Sequence, residues 1–109
     1  MDFFLSKGRN ESGATLIYVG VHKDFKMFDD FDIMLDIMRN HCECEVISDD
    51  FVIYERISEL SKAGVRFFFV EDFLYGNYLC VNGNSDVSVI DEIANVLVEG
   101  LRIRANQIH

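Results

Sequence analysis

Residues 48–64 read Ser-Asp-Asp-Phe-Val-Ile-Tyr-Glu-Arg-Ile-Ser-Glu-Leu-Ser-Lys-Ala-Gly, and the order of elements on either side turns on this run. Ser48 is an N-cap residue type, and Asp49 and Asp50 place carboxylates where a helix N-terminus favours them. Ile53, Ile57 and Leu60 recur at helical steps, and Gly64 stands where a left-handed C-cap is wanted. The spacing predicts a helix.

Toward the C-terminus, Val65 to Phe73 is aromatic and β-branched, the composition of a buried strand. Tyr75-Gly76-Asn77 turns it into Tyr78–Val81, a hairpin closed by Asn82-Gly83-Asn84-Ser85. Ser85 or Asp86 then caps a last helix running to about Arg104, with Ile90, Ile93, Ala94, Leu97 and Leu101 as its core positions. Val89, Val96 and Ile103 widen that apolar face, which predicts a helix lying in a groove between other elements.

Toward the N-terminus, Cys42-Glu43-Cys44-Glu45-Val46-Ile47 alternates with period two, as a one-sided edge strand does. Before it, Met27, Phe28, Phe31, Met34, Leu35 and Met38 mark a first helix from Asp24 to about Asn40. Ala14–Val21 reads as a central strand, joined to Asp2–Ser6 in a hairpin across Lys7–Gly13. The expectation is one domain over residues 1–109, of α/β (α+β) class. About three helices pack on a mixed sheet, in the order β-β-α-β-α-β-β-α.

Nineteen acidic residues against ten basic ones give a net charge of -9 and a pI near 4.6. Nucleic acid needs clustered Lys and Arg, and anionic membranes need the same, so neither is an expected partner. A basic protein is what this field would steer. The opening residues have no basic region followed by a long apolar run, and no stretch approaches a membrane span, which predicts a cytoplasmic protein. Cys42, Cys44 and Cys80 cannot all pair and are read as reduced thiols.

No constellation assembles into a catalytic or metal site. His41-Cys42-Glu43-Cys44 has thiophilic ligand types, but no second cluster supplies the remaining ligands. His22 lacks a nucleophile motif, and the lone Gly83 with no following Lys is a poor phosphate loop. Asp29-Asp30, Asp49-Asp50, Glu71-Asp72 and Asp91-Glu92 are most economically solvated faces or helix starts. No cofactor and no metal is expected.

On the first helix, Asp29, Asp32 and Asp36 stack opposite the apolar side, with no Lys or Arg interleaved on the stripe. Phe25 and Ile33 border it, so apolar anchors in a charged rim face outward, as an interface for a basic partner would. Asp49, Asp50, Glu71 and Asp72 form the next candidate surface.

In size, acidity and lack of motifs the chain resembles the immunity proteins of bacterial polymorphic toxin and contact-dependent growth inhibition systems. The resemblance implies a toxin-neutralising protein that binds a basic toxin C-terminal domain, often a nuclease, as a monomer or weak homodimer and without a cofactor. Two alternatives compete with it. One is an acidic, dimeric secretion chaperone, and the other a small enzyme or ligand-sensing domain using Cys42, Cys44, Cys80, His22 and His41.

The metal-free reading predicts that EDTA leaves the melting temperature unchanged. A marked fall on chelation would make His41, Cys42 and Cys44 ligands.

Overall fold

The computed structural model describes residues 3–21, 31–74, 76–82 and 87–108. Among them run β1 (Phe3–Arg9), β2 (Thr15–Val21), α1 (Phe31–His41), β3 (Glu45–Val52), β4 (Glu55–Lys62), β5 (Val65–Asp72), β6 (Gly76–Val81) and α2 (Val87–Ile108). The six strands form one sheet in the order β1-β2-β6-β5-β4-β3, and each neighbouring pair is antiparallel. The class is α+β, with two helices among the described residues rather than three, and an antiparallel sheet rather than a mixed one.

The difference lies in residues 48–64, which form the end of β3, a turn and all of β4. As a strand, this run sends Ser58 and Leu60 into the core, Ile57 to the other face and Ile53 into solvent on a turn. The helical spacing of Ile53, Ile57 and Leu60 is therefore accidental. Central position decides the outcome: β4 is paired on both sides, and Leu60 stands opposite Phe67 on β5. Cross-strand packing of this kind outweighs intrinsic preference. Gly64 does adopt a left-handed conformation (φ 80°), but beside Ala63 (φ 51°) it makes the two-residue turn between β4 and β5. Two consecutive positive φ values match the twist of a tight hairpin. The sequence signal for positive φ was real, and its context was a hairpin.

One face of the sheet carries the core. Ile17, Val19, Leu60, Phe67, Phe69, Leu79 and Val81 meet both helices there. The expected core of α2 is buried in full: Ile90, Ile93, Ala94, Leu97 and Leu101. On α1, Phe31, Met34, Leu35 and Met38 are buried as expected, joined by Ile37, while Met27 and Phe28 lie outside the described residues. α2 contacts α1, β1, β2 and β6, which accounts for its wide apolar face: Val89 and Val96 pack on the core and Ile103 stays exposed. On the opposite face, Leu16, Tyr18, Ile57, Tyr78 and Cys80 are half-buried by one another, and burial pushes the Tyr78 phenol up to about 12.

β3 is the edge strand, as the alternation in 42–47 predicts, but it begins at Glu45. Cys42 and Cys44 instead close α1. Their N–H groups both donate to the Met38 carbonyl, at 3.2 and 3.1 Å, across Glu43 at φ 58°. Both side chains are buried.

The helices touch at Gly100. A Cβ there would lie 2.8 Å from Ile37 Cγ2, a stiff branched methyl with little freedom to move. Gly100→Ala therefore meets opposing effects: about 1 kcal/mol gained in helix propensity against about 1–3 kcal/mol of overpacking. Urea denaturation should show a net loss of about 1 kcal/mol, whereas a gain would mean the helices part without cost.

Candidate functional site

The sheet has two unlike ends. At one, the β1–β2 connection is Asn10-Glu11-Ser12-Gly13-Ala14 and the β4–β5 turn is Ala63-Gly64, flanked by Lys62 and Val65. These are small or polar turn residues, as loops require. At the other end, the β3–β4 turn is Ile53-Tyr54 and the β5–β6 connection begins Phe73-Leu74. Phe51, Ile53, Tyr54, Phe73 and Leu74 are 66–83% exposed. The two tips are joined, since the Phe73 N–H donates to the Tyr54 carbonyl at 3.2 Å. A cluster of adjacent exposed large hydrophobics, unlike single ones, marks an interaction surface.

Backbone conformation supports this reading. Tyr54 holds φ 65° at the turn, a region where Gly or Asn is at ease and a bulky side chain is strained. The equivalent turn at the far end uses Ala63-Gly64. The Tyr54 side chain at this position is left 70% exposed.

The rim of this corner is acidic, with Asp49 and Asp50 ahead of one tip and Glu71 and Asp72 ahead of the other. The pairing register unites them: Asp49 faces Ser58, Arg56 faces Glu71, and Glu55 faces Asp72. The fold brings the four to one end of neighbouring strands but divides them between its faces, Asp49 and Glu71 on the helix side and Asp50 and Asp72 on the other. Asp50 is exposed, and Asp72 Oδ1 accepts from the Leu74 N–H at 2.8 Å, which shapes the second tip.

Asp49 is held by Arg56, the one cation in this corner among the described residues. Asp49 Oδ2 accepts from Arg56 Nη2 at 2.7 Å, and Oδ1 accepts from Arg56 Nε at 3.1 Å and Ser58 Oγ at 2.8 Å. Arg56 Nη1 lies 2.8 Å from Asp32 Oδ1 on α1. The guanidinium also sits 4.5 Å from the centroid of Phe31 and 5.0 Å from that of Phe51. Phe31 in turn stacks on Phe69, with centroids 4.4 Å apart. The fork of Arg suits this bidentate, ring-stacked role, which the compact ammonium of Lys does not.

These contacts correct the reading of the α1 stripe. Asp32 pairs with Arg56 on β4, and Asp36 pairs with Arg104 on α2 at 2.8 Å while accepting from Asn40 Nδ2 at 2.9 Å. The hydrogen bond from Arg104 is the main reason the Asp36 carboxyl lies below its ordinary range. Arg39 on α1 adds only a minor attraction at Asp36, and the ion pairs themselves come from distant elements. Ile33 packs against the core rather than standing free as an anchor. Phe25 and Asp29 lie outside the described residues.

Sequence reasoning missed Phe51, Ile53, Tyr54, Phe73 and Leu74. A signal was present: Asp49-Asp50-Phe51-Val52-Ile53-Tyr54 and Glu71-Asp72-Phe73-Leu74-Tyr75 share one pattern, two acids, a Phe, aliphatic residues and a Tyr. Two apolar runs behind acid pairs, each leading into a chain reversal, mark exposed tips.

The thiols stand apart from this corner. Cys42 donates toward the Ile93 carbonyl at 4.0 Å. A hydrogen bond between Cys44 and Cys42 holds the Cys42 thiol down and pushes the Cys44 thiol up, and burial adds to the rise at Cys44. Among the described residues no group of three or more His, Cys, Asp and Glu is placed to hold a metal ion. No described helix is long and apolar enough to cross a membrane. Comparison with family models, curated proteins and solved structures finds no match.

The hydrogen bond from Arg56 holds the Asp49 carboxyl below its ordinary range, with Ser58 adding to the effect. A depressed carboxyl stabilises the fold above its unfolded pKa, near 4, and loses that contribution as pH falls toward the folded value. Asp49→Asn should thus cost about 1–2 kcal/mol at pH 7. The gap from the parent protein should narrow in urea titrations as pH falls below about 4 and through the depressed folded value. A gap independent of pH would mean that the ionised carboxylate contributes nothing.

Proposed function

We propose that this protein is a binding module for a basic protein, engaged through the apolar tips at Ile53, Tyr54, Phe73 and Leu74 within their acidic rim. One observation carries the reading: large apolar side chains crowd one end of the sheet, while the two described hairpin turns of the other end are small or polar. Apolar anchors inside a charged rim are the anatomy of a protein interface. With a net charge of -9, the rim favours a cationic surface and speeds its approach.

Within that class, the reading that best fits a small acidic chain is a toxin-neutralising immunity protein whose partner is a basic toxin domain, often a nuclease. The anchors would fill apolar recesses of the toxin domain, and Asp50, Glu71 and Asp72 would meet its Lys and Arg side chains. The Asp32 and Asp36 stripe contributes to the field, while its carboxylates tie α1 to β4 and α2. The buried thiols have no part in this activity.

The test is growth rescue in cells producing a basic toxin domain encoded beside this chain, with affinity measured on the purified pair. The protein should restore growth. Ile53→Asp with Leu74→Asp should abolish rescue while leaving the melting temperature nearly unchanged, because both side chains are already in water. Association should slow with added salt, since attraction across the rim is screened within about 8 Å at physiological ionic strength. Rescue and affinity untouched by the double variant would place the interface elsewhere.

A further inference from the structure

The two edges of the sheet are finished differently. β1 carries Lys7 and Arg9, and Lys7 Nζ reaches Asp91 Oδ1 on α2 at 2.7 Å. Lysine on an edge is a common device against the addition of another strand. β3, the other edge, has no Lys, Arg or Pro between Glu45 and Val52. Its first half is interrupted by an irregularity between Val46 and Ser48, but Ser48 to Val52 runs in regular register against Glu59 to Glu55.

The direction of its backbone groups follows from that register. A two-residue turn closes on a hydrogen-bonded pair, here Val52 and Glu55, and hydrogen-bonded pairs alternate along an antiparallel ladder. Asp50 and Ile57 form the next such pair. Asp49 and Phe51 therefore turn their N–H and C=O groups away from β4, and no strand lies beyond them among the described residues. An exposed row of this kind is a template for a further strand.

Charge selects what is added. Each copy of β3 brings Glu45, Asp49 and Asp50 and no cation, so pairing two copies would line up like charges on one ladder. An incoming strand with Lys or Arg beside Asp50 and an apolar residue beside Phe51 finds opposite charge on one face and apolar contact on the other in one register. We propose that Ser48–Val52 is a docking rail on which an extended segment of the partner, alternating basic and apolar residues, adds as a seventh strand. This rests on the reading of the neighbouring tips as the partner surface, and it states how that partner is held.

The test uses the full chain and a short synthetic peptide of alternating Lys and Val. Its controls are the Glu/Val counterpart and a Lys/Val peptide N-methylated at the amides that would face β3. Titration followed by amide hydrogen exchange should show the Lys/Val peptide slowing exchange at Asp49 and Phe51. N-methylation should weaken binding about tenfold, the net value of one or two ladder hydrogen bonds. Phe51→Pro removes an N–H that β4 does not use, and it should bind about tenfold more weakly than Phe51→Ala. Absence of Lys/Val binding, or equal binding by the N-methylated or Glu/Val peptide, overturns the rail. So does dimerisation of the chain through β3. If the Ile53→Asp and Leu74→Asp variant loses the basic partner while Phe51→Pro retains it as well as Phe51→Ala, the rail falls and the tip surface stands. If tips and rail variants all retain it, both readings fall.

Discussion

The Arg56 guanidinium is the contact on which this corner of the protein depends. It joins β4 to the edge strand through Asp49 and to α1 through Asp32, and it lies over the rings of Phe31 and Phe51. Phe31 carries the connection inward by stacking on Phe69 in the core. The Arg56 side chain is only 13% exposed, so its attractions are screened less than those of a surface pair. Loss of the cation would leave Asp49 with only its hydrogen bond from Ser58 and would free Phe31 and Phe51 of the guanidinium between them. An edge strand held by its ladder to β4 and by this cation can carry Phe51 and Val52 in solvent because its anchorage does not come from burying them.

This arrangement separates stability from recognition. The core lies between the helices and one face of the sheet, and it ends before the tips. Side chains beyond it are free to serve a partner without weakening the fold, which is where an interface is expected to expose its anchors. Tyr54, a bulky residue at φ 65°, sits on this outer part, while the turn at the far end uses the small pair Ala63-Gly64.

What was legible in the sequence follows the range of the forces involved. The β1–β2 hairpin, the Val65–Val81 hairpin and the core face of α2 are written in local alternation and helical period, and the structure contains all three. The middle helix was misread because Ser48, Ile53, Ile57, Leu60 and Gly64 satisfy helical rules locally, while the pairing of β4 with β3 and β5 is decided by strands further along the chain. The ion pairs of Asp32 and Asp36 were illegible for the same reason, since Arg56 and Arg104 lie 24 and 68 residues from the carboxylates they meet (56 − 32 and 104 − 36). The apolar tip at Ile53 depended on the misread element: in a helix Ile53 would share the buried face of Ile57 and Leu60, whereas in the hairpin it stands on the turn.

The most direct measurement of the central claim is residue-resolved amide hydrogen exchange on Arg56→Met, which keeps the length of the side chain and removes its charge and its fork. If Arg56 anchors the exposed corner to a core that stands without it, exchange should accelerate along β3 and at the Ile53-Tyr54 turn, while β1, β2 and α2 keep their protection. Uniform acceleration across the chain, or unchanged protection in β3, would contradict that claim.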